Sequence, residues 1–318
     1  MEKRRATIND IARETGFSIM TVSRAFNNPD KVGKKTLALI LDKAIELDFH
    51  PNQVARSLAL KRTNIIYVYI PKELSATEPF VTQTVTAIGE RLGENGYSFL
   101  LGREFPHKVT CDGVIVVGVN KDAEDKLSTL HLEKPVVLFG NHEKIPAWID
   151  VDNYEGQKLA VRHLAKKGCK NIAYLSAPLY MHYAKERLQG YKDEMTRLEK
   201  DLIVIECGDN NVVAGYEGAK ALLATGMSVD GIVCATDAIA VGCTHVLAEK
   251  GLEIPKDIAV VGFDGFGYEN MTNPRLTTVK QPLYQDGVSL ADTLLAMLDG
   301  QQPICRKISP ELVVNESA

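Results

Sequence analysis

Carboxylate and hydroxyl side chains stand at the ends of two apolar runs in the second half of this 318-residue sequence. Thr236 and Asp237 follow the run Gly231–Ala235, and Asp264 lies just beyond the run Ile258–Gly262. Ligands of open α/β sheets bind beyond the carboxyl ends of the strands. Ionised carboxylates only accept hydrogen bonds, so these side chains suit the hydroxyl groups of a sugar-like ligand. The pattern therefore predicts a small-molecule cleft lined by Thr236, Asp237 and Asp264.

A sheet covered by helices has to position these side chains. From Thr63 onward, short apolar runs alternate with helical stretches. The predicted strands are Ile65–Ile70, Ser98–Leu101, Gly113–Val117, Val136–Phe139, Ile172–Ser176, Leu202–Glu206, Gly231–Ala235 and Ile258–Gly262. The predicted helices include Tyr154–Lys167, His182–Glu199, Val212–Thr225 and Asp237–Lys250. This alternation predicts a parallel, doubly wound α/β sheet, and the length suits two similar lobes with a cleft between them.

The charges are distributed unevenly along the chain. The net charge is −4, but residues 1–62 carry 12 Lys and Arg against 7 Asp and Glu, whereas the rest carries 25 against 34. A small basic module joined to a large acidic one indicates a nucleic-acid-binding head. A chance cluster of solvated charges is the alternative.

The basic segment has the pattern of a helix-turn-helix. Thr7 and Asp10 have the spacing of a capping box, which predicts a helix beginning after Thr7. Gly16 ends that helix, and Ser18 is placed to cap a second one. Two short helices joined by a Gly-containing turn form a motif whose second helix enters the DNA major groove. A third helix over about residues 34–47 closes the core.

The segment Thr7–Asn27 resembles the head of the LacI/GalR family of bacterial transcription regulators. The run Pro51-Asn52-Gln53-Val54-Ala55-Arg56-Ser57-Leu58-Ala59 resembles the hinge of that family, and the resemblance extends over the whole chain. It implies an N-terminal three-helix helix-turn-helix head plus hinge helix, followed by a two-lobed periplasmic-binding-protein-like doubly wound α/β body. The expected boundaries are 1–62 for the head with its hinge at about 51–60, 63–318 for the body, about 63–153 and 283–309 for the first lobe, and about 154–282 and 310–318 for the second.

The resemblance also implies roles for individual residues of the head. Ile19, Met20 and Arg24 occupy positions that face base edges, and Arg24 suits a bidentate contact to guanine. Positions that contact phosphates are occupied by Thr7, Ser18, Thr21, Ser23 and Asn27. Alternatively, Ile19 and Met20 are merely apolar surface.

The hinge is expected to act in the minor groove. A helix of this length is marginal alone, since isolated helices shorter than about 12–15 residues rarely persist in water. By the resemblance, Leu58 wedges between base steps with Ala55 and Arg56 beside it, and Asn52 is a further contact. Apolar wedges of this kind kink the duplex. Without the resemblance, Val54 and Leu58 would be the apolar side of a linker helix.

The resemblance also places an effector pocket in the body. Arg187 lies at the position of an effector-clamping guanidinium, and Asp152 joins the strand-end residues as a candidate. An Arg187–Asp264 ion pair of purely structural role is the alternative. The run Gly208-Asp209-Asn210-Asn211 departs from relatives that carry a stacking aromatic there. We expect Phe80, Tyr183 or Phe266 to offer the stacking ring instead. The alternative is that these rings only pack against other side chains of the protein.

A second departure is a shortened connection. Only 11 residues, Gly102–Asp112, separate two predicted strands, fewer than the dozen or more that a parallel crossover normally needs. The helix that the family carries there is expected to be absent.

Other classes of protein find little support. The sequence lacks the phosphate-binding motif G-x-x-x-x-G-K-[ST], the nucleophile motif G-x-S-x-G and the zinc motif H-E-x-x-H. Its six cysteines are widely spaced without a C-x-x-C pair, and it has no apolar signal or membrane-spanning run. We therefore expect no enzyme, cofactor, metal site or membrane contact, but a cytoplasmic protein with reduced thiols.

The sequence thus predicts a DNA-binding transcriptional regulator. We expect a homodimer or tetramer that represses sugar-utilisation genes from a palindromic double-stranded operator, under control of a sugar or sugar phosphate in the cleft. A purine- or nucleoside-responsive regulator is the alternative within the family. A cytosolic sugar-binding protein without DNA function is the alternative from another class.

Overall fold

The structure, a computed structural model, describes residues 6–27, 31–49, 62–72, 74–75, 78–106, 109–118, 127, 130 and 133–318. The chain divides into two compact units, Met1–Thr63 and Asn64–Ala318, which we term the head and the body. Each is described by itself.

The described part of the head contains α1 (Ile8–Thr15), α2 (Ile19–Asn27) and α3 (Lys34–Glu46). The capping box is present, because the Thr7 hydroxyl accepts from the backbone N–H of Asp10 and the Asp10 carboxylate accepts from that of Thr7. Gly16 ends α1 at a φ of +73°, which favours glycine.

The second helix begins as the sequence predicts. The Ser18 hydroxyl accepts from the backbone N–H of Thr21 at 3.1 Å, so it satisfies a donor that the helix leaves unpaired. Apolar side chains from the three helices form one core, and its buried members are Ile11, Ala12, Val22, Ala25, Ile40 and Ala44. The hinge prediction, about 51–60 with Asn52, Ala55, Arg56 and Leu58, lies outside the described residues.

The body holds two six-stranded sheets within the described residues. The first has the order β11-β5-β4-β3-β1-β2, with β1 at Ile65–Tyr69, β2 at Ser98–Gly102, β3 at Gly113–Val117, β4 at Val136–Phe139, β5 at Trp148–Val151 and β11 at Cys305–Ile308. The second has the order β12-β10-β9-β8-β6-β7, with β6 at Ile172–Ser176, β7 at Ile203–Glu206, β8 at Gly231–Cys234, β9 at Ala259–Asp264, β10 at Thr277–Lys280 and β12 at Glu311–Val313. We term the layers built on these sheets the first and second lobes.

Helices pack against both sheets. In the first lobe they are α4 (Pro79–Glu94) and α9 (Leu283–Leu298), and in the second α5 (Asn153–Lys166), α6 (His182–Arg197), α7 (Val212–Ala224) and α8 (Asp237–Glu249). Gly287 lets α9 lie tightly on α4, since a Cβ there would come within 2.6 Å of the backbone oxygen of Thr84.

One edge strand, β12, departs from the predicted parallel arrangement. The described strand pairs are parallel except that β12 is antiparallel to β10. The reason lies in the path of the chain. Only Ser309 and Pro310 separate β11 from β12, so β12 enters the second sheet directly from the carboxyl end of β11. Strand β12 therefore begins at the end of the sheet where β10 finishes, and the two strands run in opposite directions.

Within residues 133–318, which are described without a gap, the chain passes between the lobes three times: after β5, after β10 and after β11. Two of these crossovers are joined, since the backbone N–H of Asp152 donates to the oxygen of Ile308 at 2.9 Å. The third begins at Gln281, whose backbone N–H donates to the oxygen of Asp264 at 2.9 Å. All three leave the carboxyl ends of the strands, where the predicted effector residues lie.

The shortened connection between β2 and β3 has no helix among its described residues, 103–106 and 109–112. Instead, Phe105, Val109 and Cys111 pack on the sheet face that carries Tyr67 and Val114. Apolar side chains of the loop thus cover a face that a crossover helix would otherwise bury.

Candidate DNA-binding surface and effector cleft

Helix α2 presents an apolar pair to solvent at its N-terminus. Ile19 and Met20 are 56% and 63% exposed, whereas Val22 and Ala25 on the same helix are buried in the head core. Arg24 is also exposed. At helical spacing, Ile19, Met20 and Arg24 lie on the side of α2 that faces away from the core, as a base-reading surface requires.

Hydroxyl groups surround this surface. Ser18 and Thr21 hydroxyls share a hydrogen bond of 2.8 Å, and the Thr7 hydroxyl donates to the Asp10 carboxylate at 2.7 Å. These bonds fix the starts of α1 and α2, where free backbone N–H groups and the helix dipole favour an anion such as phosphate. Ser23 is half-buried on α2, and Asn27 is the last residue of that helix.

Arg187, on α6, is the best-anchored side chain of the cleft and only 3% exposed. Its Nε donates to Asn153 Oδ1 at 2.9 Å, and its Nη1 donates to the backbone oxygen of Ala235 at 2.6 Å. The guanidinium carbon lies 3.6 Å from the centroid of the Phe263 ring and 4.7 Å from that of the Tyr183 ring. Cation–π contact with two rings adds to its anchoring.

Asp264 completes this arrangement at the end of β9. Its Oδ1 accepts from Arg187 Nη1 at 3.1 Å and from Gln281 Nε2 at 2.7 Å. Its φ of +133° is strained for a residue with a side chain, a feature that tends to mark functional sites. Burial raises the pKa of the Asp264 carboxyl, and the charge of Arg187 opposes that rise. The structure thus brings together two residues that stand 77 positions apart in the sequence.

Thr236 and Asp237 lie beside this pair and are already engaged. The Thr236 hydroxyl caps α8 by accepting from the backbone N–H of Ile239, and it donates to Asn210 Oδ1 at 2.6 Å. Asp237 accepts from the Thr278 hydroxyl at 2.6 Å and from the backbone N–H of Gly265 at 2.7 Å. Both side chains are buried; Thr236 holds the start of α8 and Asn210, and Asp237 supports the loop that begins at Gly265.

The charge of Asp264 affects its buried neighbour. Burial, and then the negative charge of Asp264, raise the pKa of Asp237 to about 8. A carboxyl group held partly protonated at neutral pH is characteristic of functional sites.

Aromatic rings approach the cleft from both lobes. Phe80, in the first turn of α4, stacks on Phe139 at the end of β4, with centroids 5.1 Å apart. It also comes within 6.4 Å of Phe266, which follows β9 in the second lobe. Phe80 thus packs against one ring from each lobe.

Asn210 lies in the run Gly208-Asp209-Asn210-Asn211, where the sequence departs from the family pattern, and its side chain makes two hydrogen bonds. Its Nδ2 donates to the Tyr183 hydroxyl at 3.0 Å, while its Oδ1 accepts from Thr236. This side chain links two candidate residues, and the sequence identified the position only as one that lacks an aromatic ring.

Asp152 lies at the crossover after β5. Its Oδ1 caps α5 by accepting from the backbone N–H of Glu155 at 3.0 Å. An ion pair spans the lobes nearby, since Lys307 Nζ of β11 lies 2.9 Å from Glu186 Oε1 of α6. Although burial opposes it, the hydrogen bond to Glu186 and the surrounding carboxylates raise the pKa of Lys307. Glu186 directly precedes Arg187, so this pair connects the segment that carries Arg187 to the first lobe.

Sequence reasoning missed Asn153, Gln281 and Phe263 as supports of Arg187 and Asp264. Asn153 follows the candidate Asp152 directly and precedes the predicted helix Tyr154–Lys167, so its position was a usable signal. Gln281 follows β10, a strand that the apolar pattern did not reveal, and nothing local marked it.

None of the helices in the described ranges is both long and apolar enough to cross a membrane.

Comparison with known proteins identifies both units. Residues 7–52 match the bacterial regulatory proteins of the lacI family, and residues 161–318 match the periplasmic binding protein-like domain. The uncharacterized HTH-type transcriptional regulator YvdE of Bacillus subtilis (strain 168) is 34% identical over 316 residues, which cover 98% of this chain and 99% of YvdE.

Solved structures agree with this. The lac repressor dimer bound to operator and the anti-inducer ONPF superposes with a TM-score of 0.82 at 27% identity, covering 99% of each chain. The complex of the transcriptional regulator CelR with cellobiose gives a TM-score of 0.72 at 26% identity, covering 99% of this chain and all of the other. With the helix-turn-helix and the two-lobed body in place, the chain belongs to the LacI family of bacterial regulatory proteins.

Proposed function

We propose that this protein is a repressor of sugar-utilisation genes whose affinity for a palindromic operator is set by a carbohydrate in the cleft of its body. The observation that carries the DNA-binding part is the exposed Ile19–Met20 pair at the start of α2. Two heads of a homodimer would occupy successive major grooves, since half-site spacing mirrors the two-fold symmetry of the protein. Operator binding then requires one dimer per palindrome.

The contacts divide into two kinds. Ile19, Met20 and Arg24 are proposed to read base edges, and Arg24 donates two hydrogen bonds to guanine. Phosphate contacts are assigned to Thr7, Ser18, Thr21, Ser23 and Asn27. Asn52, Ala55, Arg56 and Leu58 of the hinge are assigned to the minor groove. Base contacts set the preferred sequence, and phosphate contacts set register and salt dependence.

The effector is proposed to bind between the lobes at Arg187 and Asp264. Arg187 donates to a ring or hydroxyl oxygen, Asp264 accepts from a hydroxyl group, and Phe80 offers a stacking face. Thr236, Asp237 and Asp152 complete the proposed site, Thr236 by holding Asn210 and Asp237 by holding the loop at Gly265 in place. CelR, one of the similar solved structures, is a complex with cellobiose.

Ligand binding is proposed to change the angle between the lobes, and thereby the separation of the two hinges in the dimer. The crossovers after β5, β10 and β11 are the points about which such a motion turns. Because the coupling is a free energy shared by two sites, DNA must alter sugar affinity by the same factor as sugar alters DNA affinity. We assign no enzymatic activity to the chain and place it in the cytoplasm, with the DNA that it regulates.

The proposal is tested by selecting operator sequences in vitro with the full chain, then titrating the best one with and without sugars. We expect a palindromic consensus and a sugar that changes the operator affinity. Selection of no consensus would contradict the DNA-binding function. A response to nucleosides but to no sugar would contradict the assignment of a carbohydrate effector.

A further inference from the structure

A cluster of ionisable side chains joins the two lobes of the body. Asp150 on β5 and Lys307 on β11 are paired in register on adjacent parallel strands, so their side chains project from the same face of the sheet. Glu186, on α6 of the second lobe, reaches Lys307, with 2.9 Å between Oε1 and Nζ. We term Asp150, Lys307 and Glu186 the inter-lobe cluster. It contains one cation and two carboxyl groups.

The inter-lobe cluster is largely shielded from water. The side chains of Glu186 and Lys307 are 17% and 32% exposed, and Asp150 is buried. Oε2 of Glu186 is buried and has no hydrogen-bond partner in the part of the chain that the structure describes. Charges withdrawn from water interact more strongly than surface charges, because the effective dielectric is lower. The negative charge of Glu186 therefore acts on Asp150 as well as on Lys307.

Hydrogen bonds anchor the carboxyl group of Asp150. Its Oδ2 accepts from the backbone N–H of Asn141 at 3.0 Å, and its Oδ1 accepts from that of Val151 at 2.8 Å. Burial and then the charge of Glu186 nevertheless raise the pKa of Asp150 to about 6, against the opposing effects of these hydrogen bonds and of Lys307. Asp150 therefore gains or loses its charge close to neutral pH.

Two further carboxyl groups surround the inter-lobe cluster. Asp152, at the crossover after β5, acts on Lys307 less strongly than Glu186 does. Asp286, on α9, is fully buried, and neither of its oxygens has a hydrogen-bond partner among the described residues. Burial and then the charge of Asp150 raise the pKa of Asp286 to about 8. Asp286 is therefore mainly protonated in the range where Asp150 changes its charge.

We propose that the inter-lobe cluster is a proton-sensitive link between the lobes, in which a proton on Asp150 favours the Lys307–Glu186 ion pair of this structure. An ionised Asp150 repels Glu186 and competes with it for Lys307, which stands beside it on the neighbouring strand. Protonation removes both effects. If the lobes part, Glu186 leaves with the second lobe while Lys307 stays beside Asp150, and both changes release the proton. This goes beyond the proposed function, because protons act on the lobes without any ligand.

The sign and size of the effect follow from linkage. The paired arrangement binds the proton more tightly, so it gains stability as the pH falls through about 6 and loses this gain as the pH rises. Each unit by which pairing raises the pKa of Asp150 shifts the equilibrium between the paired and parted lobes by about tenfold at low pH.

The first test is a pH titration of the full chain from pH 4.5 to 8, followed by the fluorescence of Trp148. Trp148 is the single tryptophan of the chain and lies two positions before Asp150 on β5, so both side chains project from the same face. We expect a transition near pH 6, which Glu186→Gln moves about one unit lower and Lys307→Gln moves higher. No transition in the wild type, or the same midpoint in all three chains, would overturn the proposal.

Two aspartate variants identify the titrating group. Asp286→Asn is the matched control, because it changes a buried carboxyl group outside the inter-lobe cluster and should keep the transition. Asp150→Asn should abolish it, and a transition that persists would contradict the role of Asp150. An asparagine cannot reproduce both hydrogen bonds that the two carboxylate oxygens accept. Should this variant fail to fold, Glu186→Gln and Lys307→Gln decide, since midpoints that move in the same direction would overturn the proposal.

The second test measures the ion pair itself. Lys307→Gln, Glu186→Gln and the double variant form a cycle whose coupling energy is obtained from urea unfolding of the full chain at pH 5.5 and 7.5. We expect the coupling to be stronger at pH 5.5, by a severalfold change in the equilibrium constant. A coupling that is equal at both pH values, or stronger at pH 7.5, would overturn the link between the proton and the lobes.

Discussion

Truncation of Met20 to alanine tests whether the exposed face of α2 reads DNA. Met20 is 63% exposed in the free chain, so most of its apolar surface is available for burial against bases. Full burial of a methionine side chain is worth about 1.5–3 kcal/mol. Allowing for the exposed fraction and for the remaining methyl group, we expect a loss of about 1 kcal/mol per head. A dimer loses about 2 kcal/mol, which is about 30-fold in operator affinity.

The assay is fluorescence anisotropy of a labelled operator, repeated at several salt concentrations. Met20 neutralises no phosphate, so the slope of log affinity against log salt should stay at its wild-type value. Leu39→Ala is the matched control, because Leu39 is 58% exposed but lies on α3, outside the proposed contact surface. Both variants should unfold at the wild-type temperature. Equal operator affinities for Met20→Ala and Leu39→Ala would refute the assignment of α2 as the reading helix.

Three further predictions concern specificity, the lobes and pH. Arg24→Ala should weaken discrimination at one base pair of each half-site by about 1–3 kcal/mol, and unchanged ranking of operator variants would contradict a base contact. Lys307→Gln and Glu186→Gln should each shift the half-maximal sugar concentration in the same direction, by up to about fivefold. The double variant should shift this concentration no further than either single variant. Additive shifts would mean that the ion pair is not the shared cause. Burial and the charge of Asp150 raise the pKa of Asp286 to about 8, whereas the unfolded carboxyl ionises near pH 4. Between roughly pH 5 and 8, the Asp286 carboxyl therefore holds a proton in the folded chain but not in the unfolded chain. As the pH rises through this range, Asp286 lowers the free energy of unfolding by about 1.4 kcal/mol per pH unit. Asp286→Asn should remove this contribution to the pH dependence of the free energy of unfolding, measured by urea unfolding at pH 5.5 and 7.5. An identical change in free energy between the two pH values for variant and wild type would contradict the role of Asp286.

The head could be read from the sequence because its signals are local. The capping box at Thr7 and Asp10, the stop at Gly16 and the cap at Ser18 each act within four residues, and the structure confirms all of them. Local hydrogen bonds of this kind depend little on the rest of the fold. The hinge remains a prediction, because its residues lie outside the described part of the chain.

The strands of the body were harder to predict from the sequence where some of their side chains are exposed. The central strands β3, β6 and β8 are buried on both faces and give continuous apolar runs, which the sequence revealed. Strands β11 and β12 at the sheet edges carry exposed polar side chains and gave no such signal. Helices α4 and α9, which pack on one another in the first lobe, were not predicted either.

The residues of the candidate cleft also divide into those that the sequence predicted and those that it did not. Strand-end logic found Asp264, and the family resemblance found Arg187, but their hydrogen bond joins two elements of the second lobe that stand 77 positions apart in the sequence. Gln281 and Asn153 support this pair from crossovers between the lobes, and no local pattern marked Gln281. Thr236 and Asp237 were predicted from the same logic, yet their hydrogen bonds are to the protein itself: Thr236 caps α8 and holds Asn210, and Asp237 supports the loop at Gly265.

The central claim is that a ligand held at Arg187 and Asp264 controls an operator held by α2. The most direct test is the operator affinity of wild type and of Arg187→Ala, each with and without a sugar that wild type binds. The account predicts that the sugar changes wild-type affinity severalfold, whereas Arg187→Ala binds the operator normally and ignores the sugar. A variant that still responds to the sugar at the wild-type concentration would contradict the account.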